Sequence, residues 1–233
     1  MGEKPLGSAA LSKRILILVE GQTEERFVKD VLAPAFWERE VFLIPTLLVT
    51  KRVKNGPNFK GGVTNFGKFA NDVKLLLNGA GDALVTTLLD YYGLPPDFPG
   101  MTTRPAGSPA QRVTHVETAI HRHFDSSPGF LPFLALHEYE ALLFASSEEL
   151  PRALVEPEKQ QQFAAIVNAF ESPEEINERP DLAPSKRIIR LFPSYRKTLH
   201  GPLVANRIGL PMIREKCDHF ASWLYRLDEF AAA

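Results

Sequence analysis

Three acidic groups in this chain fall where apolar runs end: Glu20 with Glu24, then Asp90, then Glu138 with Glu140. Carboxylates gathered from separate segments are suited to a hard divalent cation, magnesium or manganese, which takes a few carboxylate oxygens and fills its remaining positions with water and phosphate. An ion held there polarises a phosphodiester and makes a nucleophile of water, and two ions stabilise the attacking and leaving oxygens together. Plainer readings stand beside this one. Glu24 and Glu25 belong to a predicted first helical turn, where the helix dipole favours acids without any catalysis, and Glu138 and Glu140 also suit the start of a helix. Glu20 and Asp90 differ, because an acid that directly follows an apolar run has no packing reason to be there; the alternative is a structural carboxylate held by hydrogen bonds.

The elements that must position these acids follow from periodicity. Ile15-Leu16-Ile17-Leu18-Val19 has no polar alternation, the pattern of a parallel strand buried on both faces, and Gly21 after it permits a tight turn into a crossover helix. Phe27, Val28, Val31 and Leu32 lie at helical spacing, with Pro34 as a stop signal. Residues 41–50 read as the second strand and 51–64 as a long Gly, Asn and Lys-rich loop. A helical stripe from Phe66 to Leu77 ends at Asn78-Gly79, and residues 83–89 form the third strand, ending at Asp90. Residues 92–111 are a Pro and Gly-rich loop, Val113 to Phe124 a helix, and 130–136 the fourth strand, with Pro132 tolerable near its start or on an edge. Helical patterns then follow at 157–170, 184–192 and 213–230. The predicted architecture is α/β, a central parallel sheet of about four strands flanked by helices, with a flexible tail over 1–13, a core over 14–145 and a helical region over 146–233 that packs back on it.

Composition narrows the function classes. With 233 residues, 44% of them hydrophobic, and a net charge of −1, the chain can bury a large core and carries no global nucleic-acid signature. No apolar run is long enough to span a bilayer and residues 1–12 lack a secretory hydrophobic segment, so the expected setting is cytoplasmic, without membrane attachment. The one cysteine, Cys217, excludes an internal disulfide and a thiolate zinc cluster and reads as packing. Charge is nonetheless segregated. Lys51, Arg52, Lys54, Lys60 and Lys68 fall in one stretch without acids, and Lys186, Arg187, Arg190, Arg196, Lys197, Arg207 and Arg214 in another. Such stretches build either a phosphate-binding strip or a merely solvated basic face. His115, His121 and His123 match no metal-ligand spacing, and His137 at a strand end reads as either a site residue or a satisfied structural histidine. Tyr91 and Tyr92 suit either base stacking or packing. The phosphate-cradling, dinucleotide and nucleophile-elbow glycine motifs are all absent from the sequence.

One resemblance adds to these readings. The run from Ile15 to Glu24 resembles the opening motif of the TOPRIM superfamily, shared by topoisomerases, primases and overcoming-lysogenization-defect (OLD) nucleases. With Leu88-Leu89-Asp90-Tyr91-Tyr92-Gly93-Leu94-Pro95, the run from His137 to Phe144 and Pro184-Ser185-Lys186-Arg187, the chain more specifically resembles the domain-of-unknown-function family 4276, over most of residues 14–228. The resemblance implies a TOPRIM-like, Rossmannoid fold and a magnesium-dependent phosphoryl-transfer site. Glu20 would be the principal acid, as general acid/base or metal ligand, Glu24 the second glutamate of a Glu-x-x-x-Glu pattern, and Asp90 the first acid of an Asp-x-Asp motif. Tyr92 departs from that motif in place of the second aspartate, so Glu138 or Glu140 would substitute, or activity has been lost. Lys186 would join Glu20 and Asp90 in catalysis, with Lys186, Arg187 and Lys197 contacting phosphates of DNA or RNA. Relatives of this type are often encoded beside ATPases in systems acting against foreign DNA, which implies a partner ATPase. A metal-dependent nuclease is therefore the leading expectation, and a non-catalytic module that binds a partner ATPase or nucleic acid is the alternative.

Overall fold

A computed structural model describes residues 12–48, 63–176 and 180–233, so the basic residues from Lys51 to Lys60 lie outside the described part. Its centre is a sheet of five parallel strands: β1 (Lys13–Val19), β2 (Val41–Leu47), β3 (Leu84–Asp90), β4 (Phe130–Leu131) and β5 (Leu134–Ala135). The order is β2-β1-β3-β4, with β5 also paired to β3. β1 lies between β2 and β3, in register Ile17 with Pro45 and Thr86. This central place explains its unbroken apolar run. Ile15, Ile17 and Val19 enter the core on one face of the sheet, while Leu18 enters the core on the other.

The helices are α1 (Gln22–Phe27), α2 (Pro34–Trp37), α3 (Phe66–Ala80), α4 (Pro109–His123), α5 (Glu149–Ala153), α6 (Gln160–Val167), α7 (Pro184–Leu191), α8 (Lys197–Ile208), α9 (Leu210–Lys216) and α10 (Asp218–Ala232). α3 and α4 cover one face through Phe69, Val73, Val113, Val116 and Ile120. α1 covers the other together with Val204, Ile213, Phe220, Trp223 and Leu227 of the C-terminal helices. Those helices thus share a core with β1. Trp223 also donates its indole N–H to the buried Thr86 hydroxyl at 2.9 Å, which fastens α10 to the middle of β3.

The structure departs from the sequence-based expectations at several places, each with a physical reason. Pro34 does not stop the first helix. The chain passes through one π-helical turn, Val28–Leu32, where Ala33 N–H reaches back to Val28 O at 2.8 Å, and Pro34 then opens α2 as a residue needing no amide partner. α3 runs past Gly79 and stops at Gly81, whose φ of 62° suits glycine. α4 starts inside the expected loop, because Ser108 and Gln111 form a capping box around Pro109. The fourth strand is split by Pro132. Across the break, the Thr87 hydroxyl donates to Phe133 O at 2.6 Å and accepts from Phe133 N at 2.8 Å, a substitute for ladder bonds. The final helix is likewise two: Glu174 takes the amides of His219 and Phe220 at 2.9 and 3.0 Å, so α10 begins afresh after the buried Cys217. α8, which periodicity did not reveal, contains Pro202 and carries Lys197 as its first residue.

Candidate metal and phosphodiester site

The carboxyl ends of β1 and β3 lie side by side, and the acids that follow them meet there. The Asp90 amide donates to Glu20 Oε2 at 3.2 Å, tying the two strand ends together. Asp90 in turn accepts, through Oδ1, the amide of Tyr139 at 2.9 Å, which brings in the 3-10 segment Tyr139–Ala145 just after β5. That segment delivers Glu138 and Glu140. Glu24 comes from the first turn of α1 and is buried. Gly21 matters here for space more than for its backbone, whose φ of −151° suits any residue. A Cβ at Gly21 would stand 3.2 Å from Glu24 Oε2, so a side chain there would crowd the carboxylate.

The far wall is built by α7 and α8. Ser185, near the start of α7, donates its amide to Glu138 Oε2 at 3.0 Å and its hydroxyl to Glu138 Oε1 at 3.1 Å. Lys197 places its ammonium 3.2 Å from the Glu140 carboxylate and 3.6 Å from Glu138 Oε1. One helical turn further, Gly201 lets α8 approach: a Cβ there would meet Tyr139 Cε1 at 3.1 Å and the Tyr195 hydroxyl at 3.3 Å. The hydroxyls of Tyr139 and Tyr195, together with Glu140 Oε1 and His137 Nε2, are buried polar atoms without a hydrogen-bond partner among the described residues.

Electrostatics follow from that crowding. Burial, then the neighbouring charge of Glu24, raises the Glu20 carboxyl to about 7 against the pull of the Asp90 amide and Lys197. Asp90 is pushed well up by burial and then by Glu20 and Glu24. Burial raises Glu24 as well. It lifts Glu140 to about 7 despite the Lys197 ammonium. Lys197 moves the opposite way to what burial would dictate: Glu140, Glu138 and Asp90 outweigh desolvation and raise it. His137 is driven down to about 4 by burial and by the charge of Arg112, and is neutral at pH 7.

Sequence reasoning pointed to some of these residues and missed others. Glu20, Glu24, Asp90 and Glu138 stand in one electrostatically coupled group, with Glu140 and Lys197 beside them. Lys186 is exposed on α7, next in sequence to the serine that grips Glu138. Arg187 donates to Leu182 O at 2.7 Å and lies 5.2 Å from the Phe170 ring, so it holds its own segment in place. Of the second basic stretch, Arg207 pairs with Glu149 and Arg214 with Asp228. Tyr92 is 46% exposed, while Tyr91 is buried and accepts a hydrogen bond from Arg104. Ser185 had no signal of its own in the sequence pattern, since it acts through a contact with Glu138, 47 positions away.

The donor set can be weighed against a cation. All candidate ligands are carboxylate oxygens, which suits magnesium or manganese and not a thiolate or imidazole metal. Asp90 Oδ2 and Glu20 Oε1 are not the oxygens used by the backbone amides, and the carboxyls are raised first by burial and then by one another's charge. Among the described residues no group of three His, Cys, Asp or Glu side chains is arranged so that it could hold a metal ion.

Among solved structures, the C-terminal region of the Xanthomonas campestris pv. campestris OLD protein is similar at 18% identity and a TM-score of 0.39, covering 94% of this chain and 100% of that one. No curated protein matches the chain. Among the described residues no helix is long and apolar enough to cross a membrane. The profile described as "Domain of unknown function (DUF4276)" matches residues 19–228, and the chain belongs to that family.

Proposed function

We propose that this protein is a metal-dependent nuclease, or a related phosphodiester-transfer enzyme, with magnesium or manganese held by Glu20, Glu24 and Asp90 and with Glu138 beside them. The observation that carries the reading is the coupling of these acids across the carboxyl ends of two neighbouring parallel strands, where Asp90 N–H grips Glu20 and Tyr139 N–H grips Asp90. When bound, the ion would supply Lewis-acid polarisation of a phosphodiester and a lowered pKa for its water. The chain's own residues would do the rest. Without the ion, burial holds the Glu20 carboxyl up at about 7, so binding the ion near neutral pH would release a proton from it. Lys197, with its side chain 43% exposed, would face the charge that develops on the phosphoryl oxygens. Lys186, exposed beside that wall, would contact the phosphate backbone of a DNA or RNA substrate.

A second reading is favoured by Tyr92, an exposed phenol two residues after Asp90 where an acid would add a ligand. On that reading the site binds a cation or phosphate without cleaving, and the protein is a module for a partner ATPase or a nucleic acid. Cleavage assays with magnesium and manganese on wild type, Glu20→Ala and Asp90→Ala separate the two. The nuclease reading requires metal-dependent cleavage that falls by at least about a hundredfold in both variants, the scale of losing a group that acts in the transition state. Cleavage unchanged in both would reject the assigned site.

A further inference from the structure

We infer that the site takes a single-stranded nucleic acid, and that Tyr92 holds it by stacking on the nucleobase next to the phosphate at the acids. The inference rests on the reading that a nucleic acid occupies this site, and it specifies which form of it fits.

Four observations carry it. First, Tyr92 stands beside the acids and outside the core. It belongs to the 3-10 turn Tyr91–Gly93, which Asp90 caps. At about 2 Å of rise per residue in such a turn, Tyr92 lies roughly 4 Å along the chain from Asp90. Tyr92 is 46% exposed, whereas Tyr91 is buried. Second, the turn is held in place. The Tyr92 amide donates to His137 O and the Leu94 amide to Tyr91 O, both at 3.2 Å, and Arg104 donates to the Tyr91 hydroxyl at 3.0 Å. An aromatic ring on a fixed turn gives up little further freedom when a base settles on it. Third, there is room beside the ring, since Gly93 is exposed and a Cβ there would meet nothing within 4 Å. Fourth, cationic groups border the same stretch of chain. His137 O is held by the Tyr92 amide and the Glu138 carboxylate by Ser185. Exposed Lys186 follows Ser185, and the Lys197 ammonium is 3.6 Å from Glu138 Oε1. A strand crossing the partly exposed Glu20, Asp90 and Glu138 therefore meets ammonium groups from α7 and α8 and an aromatic face from the turn after β3. Cations for the backbone with an aromatic face for the bases is how single strands are held without sequence preference. In a duplex each base face is covered by its neighbours, and a ring in this position has nothing to stack on unless a base leaves the helix.

Fluorescence anisotropy of labelled DNA oligonucleotides tests this on the full chain, in chelator so that none is cut. The single strand is expected to bind more tightly than the same sequence as a duplex. Tyr92→Ala should weaken single-strand binding by about five- to 150-fold, the range for losing one stacked base. Its salt slope should stay the same, because no phosphate contact is lost. Tyr92→Phe keeps the ring and should bind as wild type does. A strand that is abasic throughout keeps the phosphates without the bases, so its affinity should not respond to Tyr92→Ala. Single-strand binding unchanged in Tyr92→Ala, an equal loss for the abasic strand, or a preference for the duplex would each overturn the stacking inference and leave the nucleic-acid reading standing. No binding of either form by wild type would also overturn it, while the cleavage assays decide the nuclease reading independently. Because Tyr92 is exposed, the melting temperature of Tyr92→Ala should match wild type, which separates lost binding from lost folding.

Discussion

The backbone amide of Asp90 donates to the carboxylate of Glu20 at 3.2 Å, although 70 residues separate them in sequence. A strand end therefore orients its neighbour's acid through the main chain, with a donor that does not depend on the carboxylate at position 90. Replacing Asp90 removes charge from the site but keeps the donor that aims Glu20, whereas replacing Glu20 removes the acid itself.

The crowded carboxyls make stability depend on pH. Glu20 and Glu140 rise to about 7 from an unfolded value of 4.5, and Glu24 and Asp90 are raised too. These groups therefore bind more protons in the folded than in the unfolded state between these values, so the stability they contribute is fully present below pH 4.5 and is lost as pH rises through about 7. In chelator, the melting temperature should fall between pH 5 and pH 8. Magnesium, which needs the deprotonated carboxylates, should raise it more at pH 8 than at pH 5. A magnesium shift that is equal at both pH values would contradict the assignment.

A second titrating pair lies away from the site. His219 Nε2 is 3.0 Å from Glu117 Oε1, between α10 and α4. Burial alone would lower the histidine, but the hydrogen bond and charge of Glu117 outweigh it and raise the value above 6.5. Its contribution is full below pH 6.5 and is lost as pH rises through the raised value. Glu117→Gln should cost stability at pH 6 and much less at pH 9, read from urea midpoints of variant and wild type at each pH. An equal cost at both would mean that the pair is not charged.

Thr86 is fully buried in β3, donates its hydroxyl to Leu131 O at 2.5 Å and accepts from the Trp223 indole. Trp223→Phe keeps most of the ring packing and deletes the indole donor, so chemical denaturation should show a loss of about 1–3 kcal/mol, the usual cost of stranding a buried polar partner. A loss below a few tenths would show that α10 is held by packing alone.

Gly201→Ala adds a methyl group facing Tyr139 Cε1 at 3.1 Å and the Tyr195 hydroxyl at 3.3 Å. Overpacking of this kind costs about 1–3 kcal/mol. Urea midpoints of variant and wild type check it, and an unchanged midpoint would show that α8 shifts to make room for the methyl group.

Lys186 and Arg187 are adjacent but should behave differently. Lys186 is exposed, so Lys186→Ala should lower nucleic-acid affinity and reduce the salt slope by about one phosphate contact, leaving the melting temperature in place. Arg187, tied to Leu182 O and the Phe170 ring, should lose stability when truncated. Salt-independent binding by wild type would count against a phosphate contact at Lys186.

Much of the architecture was legible in the chain itself. A run such as Ile15 to Val19 carries its own information, because a strand buried on both faces must be apolar at every position. The acids at Glu20 and Asp90 were legible for the same reason, as charges that interrupt an otherwise complete burial pattern. Boundaries were less so. Pro34 and Gly79 each gave a valid local signal that a neighbouring feature overrode, the π-turn hydrogen bond at Ala33 and the glycine two residues later, whereas Pro132 did break its strand and the Thr87 hydroxyl bridges the gap.

By itself, then, the sequence determined that parallel strands end in acids and that helices cover both faces, since both follow from period and polarity along a continuous stretch. Only the tertiary structure decided the partners: that Ser185 holds Glu138 and that Lys197 lies between Glu138 and Glu140. Such pairings join residues about 47 to 59 positions apart, and no local periodicity encodes them. They arise when α7 and α8 bury their apolar faces against the core next to β1, and the polar side chains carried along must find one another or remain desolvated and alone.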